Sequence, residues 1–318
     1  MTEKDPATLA EVGEFAVIER LVAGRSQTPG VLLGPGDDAA VLAAPDRRVV
    51  VTTDMLVEGR HFRLDWATPH DVGRKAVAQN AADVEAMGAV VTGFVVALGA
   101  PSDAPASRLE ALADGMWAEA QRIGAGIIGG DLVASPHTVV SVTALGDLGD
   151  RDPVTRGGAT VGSAVAVCGD LGRSAAGYAL WQHDIDGFEA LRRRHLVPRP
   201  PYGQGMVAAD AGAGAMTDVS DGLVADLRHV ARASGVGIDL ASAALGADRD
   251  ALAAAAAAAA ADPWSWVLAG GEDHALVATF PAGVPGGWRV IGVVLDGPAR
   301  VLLDGQEWVC DAGWQSFG

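Results

Sequence analysis

Apolar positions along this chain alternate between helical and strand spacing. In residues 14–24 (EFAVIERLVAG) they fall at 15, 17, 18, 21 and 22, the rhythm of an amphipathic helix, with Gly24 placed to cap it. Residues 31–41 read as a short strand, a GPGDD turn and more apolar chain, and 48–53 (RVVVTT) as a buried β-branched strand ending at Asp54. Residues 71–87 predict a helix turning Val72, Ala76, Val84 and Met87 toward a core. A β-rich run follows at 90–98, a long helix at 107–123, then 126–128 leading into GGDLV, and a strand at 138–145.

The stretch 146–162 (GDLGDRDPVTRGGATVG) is crowded with Gly, Asp and Pro, which breaks both periodicities. It divides the chain into domains over 1–150 and 151–318. Beyond it come a strand at 164–167, a small-residue helix at 206–216, a short apolar run at 215–219 ending in DVSDGL, and a strong helix at 221–234. Residues 248–262 are alanine-rich and predict a surface helix. Residues 264–280 carry GGEDHAL, and two strand-like runs follow. Helices and strands mix throughout, so the class is α/β (α+β).

Composition narrows the function. Lys plus Arg is 23 and Asp plus Glu is 40, a net charge of −17 in 318 residues. That excludes a broad basic face for nucleic acid and disfavours docking on anionic lipid. Cys168 and Cys310 are too few for a disulfide framework or a four-ligand zinc site. The start is acidic and lacks an apolar core of the secretory kind, and no run approaches the roughly 20 apolar residues of a membrane span. These features predict a soluble, cytoplasmic chain.

Residues 124–129 spell GAGIIG, but the dinucleotide fingerprint needs a strand before the glycines and a helix after them. Here the order is reversed, so that reading is rejected. P-loop, nucleophile-elbow, zincin and kinase signatures are absent. What remains is a series of aspartates beside glycine or threonine at expected strand ends: Asp37 and Asp38, Asp54, Asp131, Asp218 and Asp221. Asp83 follows Asn80 by three residues, on one helix face. One Asp-Gly pair is an ordinary turn. The whole set suits a hard divalent cation that links carboxylates to phosphate oxygens, with glycines admitting backbone N–H groups close to the anion.

GDDAA at 36–40, TTDMLVEGRHF at 52–62, KAVAQNAAD at 75–83, AMGA at 86–89, GGD at 129–131, DVSDGL at 218–223 and GGED at 270–273 occur in this order. In this the chain, over about 14–317, resembles the thiamine-monophosphate kinases, of the superfamily that includes aminoimidazole ribonucleotide synthetase. The resemblance implies phosphoryl transfer from ATP to the phosphate of thiamine monophosphate, with magnesium, room for potassium, and a homodimer whose N-terminal sheets pair into a barrel-like sheet. It carries metal ligation onto Asp38, Thr52, Thr53, Asp54, Asp83, Asp131, Asp218 and Asp221. Nucleotide contacts fall on Gly130, Asp131, Arg156 and Ser220, and substrate contacts on His61, Glu272 and Trp314. Asp131, Arg156 and Asp221 stand nearest the chemistry, and the aspartates are expected to gather in one cleft.

The chain departs from the pattern in three places. GGEDYEL of many relatives is GGEDHAL here, with His274 and Ala275; the tail reads GWQSF at 313–317 where Asp-His often precedes the Phe; and Ser163 stands where an Asp is expected. Two rival readings follow: another ATP-using synthetase of the superfamily, and a non-catalytic nucleotide- or cation-binding protein. The selenophosphate synthetase reading needs a reactive cysteine near the N-terminus, and the hydrogenase-maturation reading needs a terminal one, whereas Cys310 is followed by eight residues.

Overall fold

The computed structural model describes residues 7–35 and 39–308. The chain divides into two compact units, one of residues up to Ala81 with Val91–Asp147, the other of Ala82–Val90 with Leu148 onward.

The first unit opens with α1 (Leu9–Val12), α2 (Glu14–Val22) and a small antiparallel pair, β1 (Val31–Leu33) and β2 (Val41–Leu42). Then come β3 (Val50–Val57), α3 (Pro69–Ala86, whose end from Ala82 belongs to the second unit), β4 (Val90–Ala100), α4 (Ala106–Ile123), β5 (Ile127–Ala134) and β6 (Val139–Asp147). Four strands form a sheet in the order β3-β6-β4-β5, with β3 antiparallel to β6 and β5 parallel to β4. The central helix α3 is buried on nearly every side: Val72, Ala76, Val77 and Ala81 are core, and so are the polar Lys75, Gln79, Asn80 and Glu85. The sheet keeps apolar side chains exposed, among them Val51, Met55, Val95 and Val133.

The second unit contains β7 (Ala164–Cys168), α5 (Arg173–Gln182), α6 (Glu189–Leu196), α7 (Gln204–Asp210), β8 (Ala215–Asp218), α8 (Leu223–Ser234) and β9 (Gly237–Leu240). It continues with α9 (Ser242–Ala258), α10 (Pro263–Ala269), β10 (Leu276–Phe280), β11 (Arg289–Leu295), β12 (Arg300–Leu303) and β13 (Gln306–Glu307). Its seven-stranded sheet runs β13-β12-β9-β11-β7-β10-β8, antiparallel except where β12 joins β9. One core cluster joins Leu180, Leu227, Leu245, Leu252 and Val267, from four helices, to Val165, Ile238 and Val277 of the sheet. A second gathers Ala208, Met216, Phe280 and Trp288.

Several sequence expectations shift. Asp54 and Asp131 do not end strands: β3 continues to Val57 and β5 to Ala134, because their ladders with β6 and β4 persist past both carboxylates. Helix α3 stops at Ala86, which leaves Met87 half-buried beyond it. The small-residue helix ends at Asp210, and α8 starts at Leu223 rather than Asp221. The alanine-rich helix is only partly a surface element, since it buries Leu245, Leu252, Ala255 and Ala256. At 124–129 a helix precedes the glycines and a strand follows, the reverse of the order the dinucleotide fingerprint needs. Among the described residues no helix is long and apolar enough to cross a membrane. Cys168 is a buried free thiol, and Cys310 lies outside the described residues.

Candidate functional site

In the first unit, the two-residue period of β3 puts Thr53 on the exposed face with Val51 and Met55, and Thr52 and Asp54 on the other. The Thr53 hydroxyl donates to the Val142 carbonyl at 3.0 Å and accepts from Thr143 at 3.1 Å. Asp54 is fixed by consecutive α3 residues. Its backbone N–H donates to Asn80 Oδ1 at 3.0 Å, and Gln79 Nε2 donates to Asp54 Oδ2 at 3.0 Å. Asn80 is itself locked, donating to the Ala76 carbonyl at 2.9 Å from a buried position. After β3 the chain turns so that the Val57 N–H donates to His61 Nδ1 at 3.1 Å, which leaves the ring proton on Nε2. Buried Lys75 donates to the His61 carbonyl at 3.2 Å. Asp131 is exposed in β5, opposite Ala97 of β4. Gly130 beside it cannot be replaced cheaply: a Cβ there would lie 2.1 Å from the Val96 carbonyl oxygen.

In the second unit, the loop between β8 and α8 carries Ser220 and Asp221. Asp226, one turn into α8, accepts the backbone N–H groups of Ser220, Asp221 and Gly222 on a single oxygen, each at 3.0 Å. Burial, then the charges of Asp218 and Asp221, push the Asp226 carboxyl up to about 7. Gly222 has φ 128°, and a Cβ there would meet the Ala269 carbonyl oxygen at 2.7 Å, so only glycine starts α8 at this point.

The GGEDH segment runs against that loop. Glu272 N–H donates to the Ser220 carbonyl at 2.8 Å and His274 N–H to the Val219 carbonyl at 2.9 Å. Both Glu272 (φ 61°) and His274 (φ 52°) are left-handed, a strain that concentrates where surrounding contacts over-determine the backbone. His274 Nδ1 lies 3.0 Å from Asp218 Oδ2, both side chains buried. Burial works against a charged His274 ring, but the Asp218 hydrogen bond and the charges of Asp218, Glu272 and Asp83 outweigh it, and the ring's pKa moves up. Asp273 is buried, accepting from the N–H groups of Gly172 and Ser174, and burial raises its carboxyl to about 7. Exposed Arg156 donates from Nε to Thr217 Oγ1 at 3.3 Å, one residue before Asp218.

Of the residues expected to act, the structure puts Thr52 and Asp54 on one face of β3 and Thr53 on the other in the first unit, and sets Asp218, Ser220, Asp221 and Glu272 along one loop and strap in the second. Asp38 and Trp314 lie outside the described residues. Among the described residues, one grouping sets three possible metal-ligand atoms within 4.8 Å of one another: Asp221, Asp226 and His229. Of the expected ligands only Asp221 belongs to it, and the three N–H groups already on Asp226 make that residue a holder of the loop. Sequence reasoning missed Asp226, and it named Asp273 only within the GGED motif, without its role as the acceptor for the N–H groups of Gly172 and Ser174. A carboxylate four residues after an Asp-Gly turn was a readable sign that the side chain folds back on a helix start; nothing local announces the contacts of Asp273.

Residues 36–148 match the family model for the AIR synthase related protein, N-terminal domain. A fold-level likeness extends to the hydrogenase maturation protein HypE, with TM-score 0.73, 17% identity, and coverage of 93% of this chain and 97% of that one. At higher identity the relatives are of one kind. A thiamine-monophosphate kinase of Mycobacterium tuberculosis is 67% identical over 324 residues, covering 100% of this chain and 97% of its own. One from Corynebacterium glutamicum is 42% identical over 99% of this chain and 96% of its own. A structure of AaThiL complexed with AMPPCP and TMP superposes with TM-score 0.77 at 31% identity, covering 99% of this chain and 100% of that one. The chain belongs to the thiamine-monophosphate kinase family.

Proposed function

We propose that this chain transfers the terminal phosphoryl group of ATP to the phosphate of thiamine monophosphate, giving thiamine diphosphate and ADP. The observation that carries the reading is the loop Asp218–Gly222: Asp226 gathers its three N–H groups and His274 fixes its leading carboxylate. Phosphoryl transfer asks a protein for alignment and charge neutralisation rather than covalent help, and this loop supplies rigid oxygen donors. No covalent nucleophile is assigned.

The proposed metal ligands are Asp38, Thr52, Thr53, Asp54, Asp83, Asp131, Asp218 and Asp221. All are oxygen donors, without thiolate or imidazole, which fits Mg²⁺ and leaves room for K⁺. When bound, Mg²⁺ offsets the mutual repulsion of two polyanionic substrates. Gln79 turns Asp54, and His274 turns Asp218, so that neither carboxylate swings as charge arrives. Gly130, Asp131, Arg156 and Ser220 are assigned to the nucleotide, with the Arg156 guanidinium suited to fork onto a phosphate. His61, Glu272 and Trp314 are assigned to thiamine monophosphate, Trp314 by stacking on the cationic thiazolium or on the pyrimidine ring.

Residues 1–150 would form the nucleotide- and metal-binding domain and residues 151–318 a C-terminal α/β domain. The exposed Val51, Met55, Val95 and Val133 of the first unit's sheet support a homodimer formed through it, since an uncovered apolar sheet face invites a partner. The acidic balance supports a cytoplasmic enzyme without nucleic-acid partners.

The test is product formation from ATP and thiamine monophosphate, with and without chelator, for the wild type and Asp131→Asn. Because Asp131 is exposed, the variant should keep its melting temperature while losing about 100-fold or more in kcat/KM, on the scale of one removed electrostatic partner. Full activity in the variant or in excess chelator would overturn the reading.

A further inference from the structure

We infer that His195 is a positioning residue for acceptor recognition: it holds the Glu272 carboxylate in the orientation that reads the amino group of the pyrimidine ring. The inference rests on the proposed assignment of Glu272 to thiamine monophosphate. His195 sits in the last turn of α6, buried, with Nδ1 3.3 Å from Glu272 Oε2 and 3.3 Å from the hydroxyl of buried Ser174. The Tyr178 ring meets it edge to face, centroids 5.3 Å apart. Helices α5 and α6 approach so closely at Gly177 that a Cβ there would lie 2.2 Å from the Leu191 carbonyl oxygen and 3.0 Å from His195 Cβ. The ring's place is thus set by helix packing before any substrate arrives.

In the tautomer that carries its proton on Nδ1, the ring donates toward the Glu272 carboxylate, and that is the form we assign. The main chain of Glu272 is held separately, through its N–H to Ser220 and its left-handed φ. Fixed at both ends, a side chain with three torsions loses its freedom during folding rather than during binding. The carboxylate can then accept from an exocyclic amino group, and it rejects an analogue carrying a carbonyl oxygen there, because two acceptors would face each other.

The experiment uses the full chain and two acceptors, thiamine monophosphate and oxythiamine monophosphate, in which that amino group is replaced by oxygen. His195→Phe keeps ring volume without the donor. His195→Asn keeps an N–H near the position of Nδ1. His195→Phe should raise KM for thiamine monophosphate about 10-fold, the scale of a hydrogen bond to a charged group, and shrink the preference for the amino acceptor by a similar factor. Its kcat and its KM for ATP should stay within about twofold of wild type. His195→Asn should restore most of the preference. A preference unchanged in His195→Phe, or lost equally in both variants, would overturn the inference and leave His195 a packing residue. Should His195→Phe fail to fold, His195→Leu replaces it under the same criteria. Glu272→Gln separates the two levels: if it leaves KM and preference untouched, the assignment of Glu272 to substrate fails; if it abolishes the preference while His195→Phe does not, only the role of His195 falls.

Discussion

The two units present their carboxylates in opposite ways. In the first, Asp54 stands within a regular strand, half-buried, and its orientation comes from neutral amides on α3. In the second, Asp218 and Asp221 flank a loop held by ionisable groups that are themselves buried, against a strap with two left-handed non-glycine residues. Sheet register is a distributed restraint: many ladder hydrogen bonds share the work, and losing one side-chain partner shifts little. The loop instead depends on a few side chains, each carrying several backbone groups. The contrast predicts that the second unit is the fragile one, and that pH reaches it first.

The largest expected effect comes from removing Asp226. Asp226→Ala leaves the N–H groups of Ser220, Asp221 and Gly222 without their acceptor, that of Gly222 buried and the other two partly so, at about 1–3 kcal/mol each before water enters. With partial solvation a loss of about 4 kcal/mol is expected, read by urea unfolding. Asp226→Asn, whose amide oxygen can take the same three donors, should lose about 1 kcal/mol or less at neutral pH. If Asp226→Ala unfolds at the wild-type midpoint, the loop is held by something else and the contrast between the units is wrong.

This difference also explains what the sequence made legible. The strand of β-branched residues around 50–53 and the helix over 71–86 announce themselves by periodicity, so Thr52, Thr53, Asp54 and Asn80 could be placed on elements before any coordinates. The strand ends were misjudged because Asp54 and Asp131 are poor strand formers. The ladders to β6 and β4 carry the strands across them, a tertiary effect that propensity cannot register. The proposed site positions of the second unit, Asp218, Ser220, Asp221 and Glu272, were legible as motifs, but the contacts that hold them were not. His195 is 77 residues from Glu272, and Asp273 caps α5 from about 100 residues away, separations across which no local pattern runs.

A smaller effect, but a sharper test, comes from pH. Asp226 and Asp273 both hold their protons up to about 7, against 3.8 for an ordinary aspartate. Between those values the folded chain binds protons that the unfolded chain has released. The stability these groups contribute is therefore fullest at low pH and is lost as pH rises toward 7. Asp226→Asn removes one of the two groups and leaves Asp273 and His274 in place, so their contributions drop out of the difference between the two proteins. The variant's stability relative to wild type should improve between pH 5 and pH 7.5, measured by urea unfolding at both. A difference constant across that interval would mean that Asp226 is already ionised at pH 5, and that burial does not govern it.

The smallest expected effect is in the first unit and sharpens the contrast from the other side. Gln79→Leu removes the amide that donates to Asp54 Oδ2 while keeping similar volume on α3. Asp54 is only half-buried, so water can replace the lost donor, and the backbone of residue 54 keeps its bond to Asn80 and its place opposite Val142. The expected loss is about 0.5–1 kcal/mol, measured by urea unfolding. The site should respond more than the fold. On the proposed ligation of Mg²⁺ by Asp54, a carboxylate free to rotate costs orientation, so the Mg²⁺ concentration giving half-maximal rate should rise several-fold while kcat at saturating Mg²⁺ stays near wild type. Loss of several kcal/mol in Gln79→Leu would show that the first unit concentrates its restraint in single side chains as the second does, and the distinction between the two would dissolve.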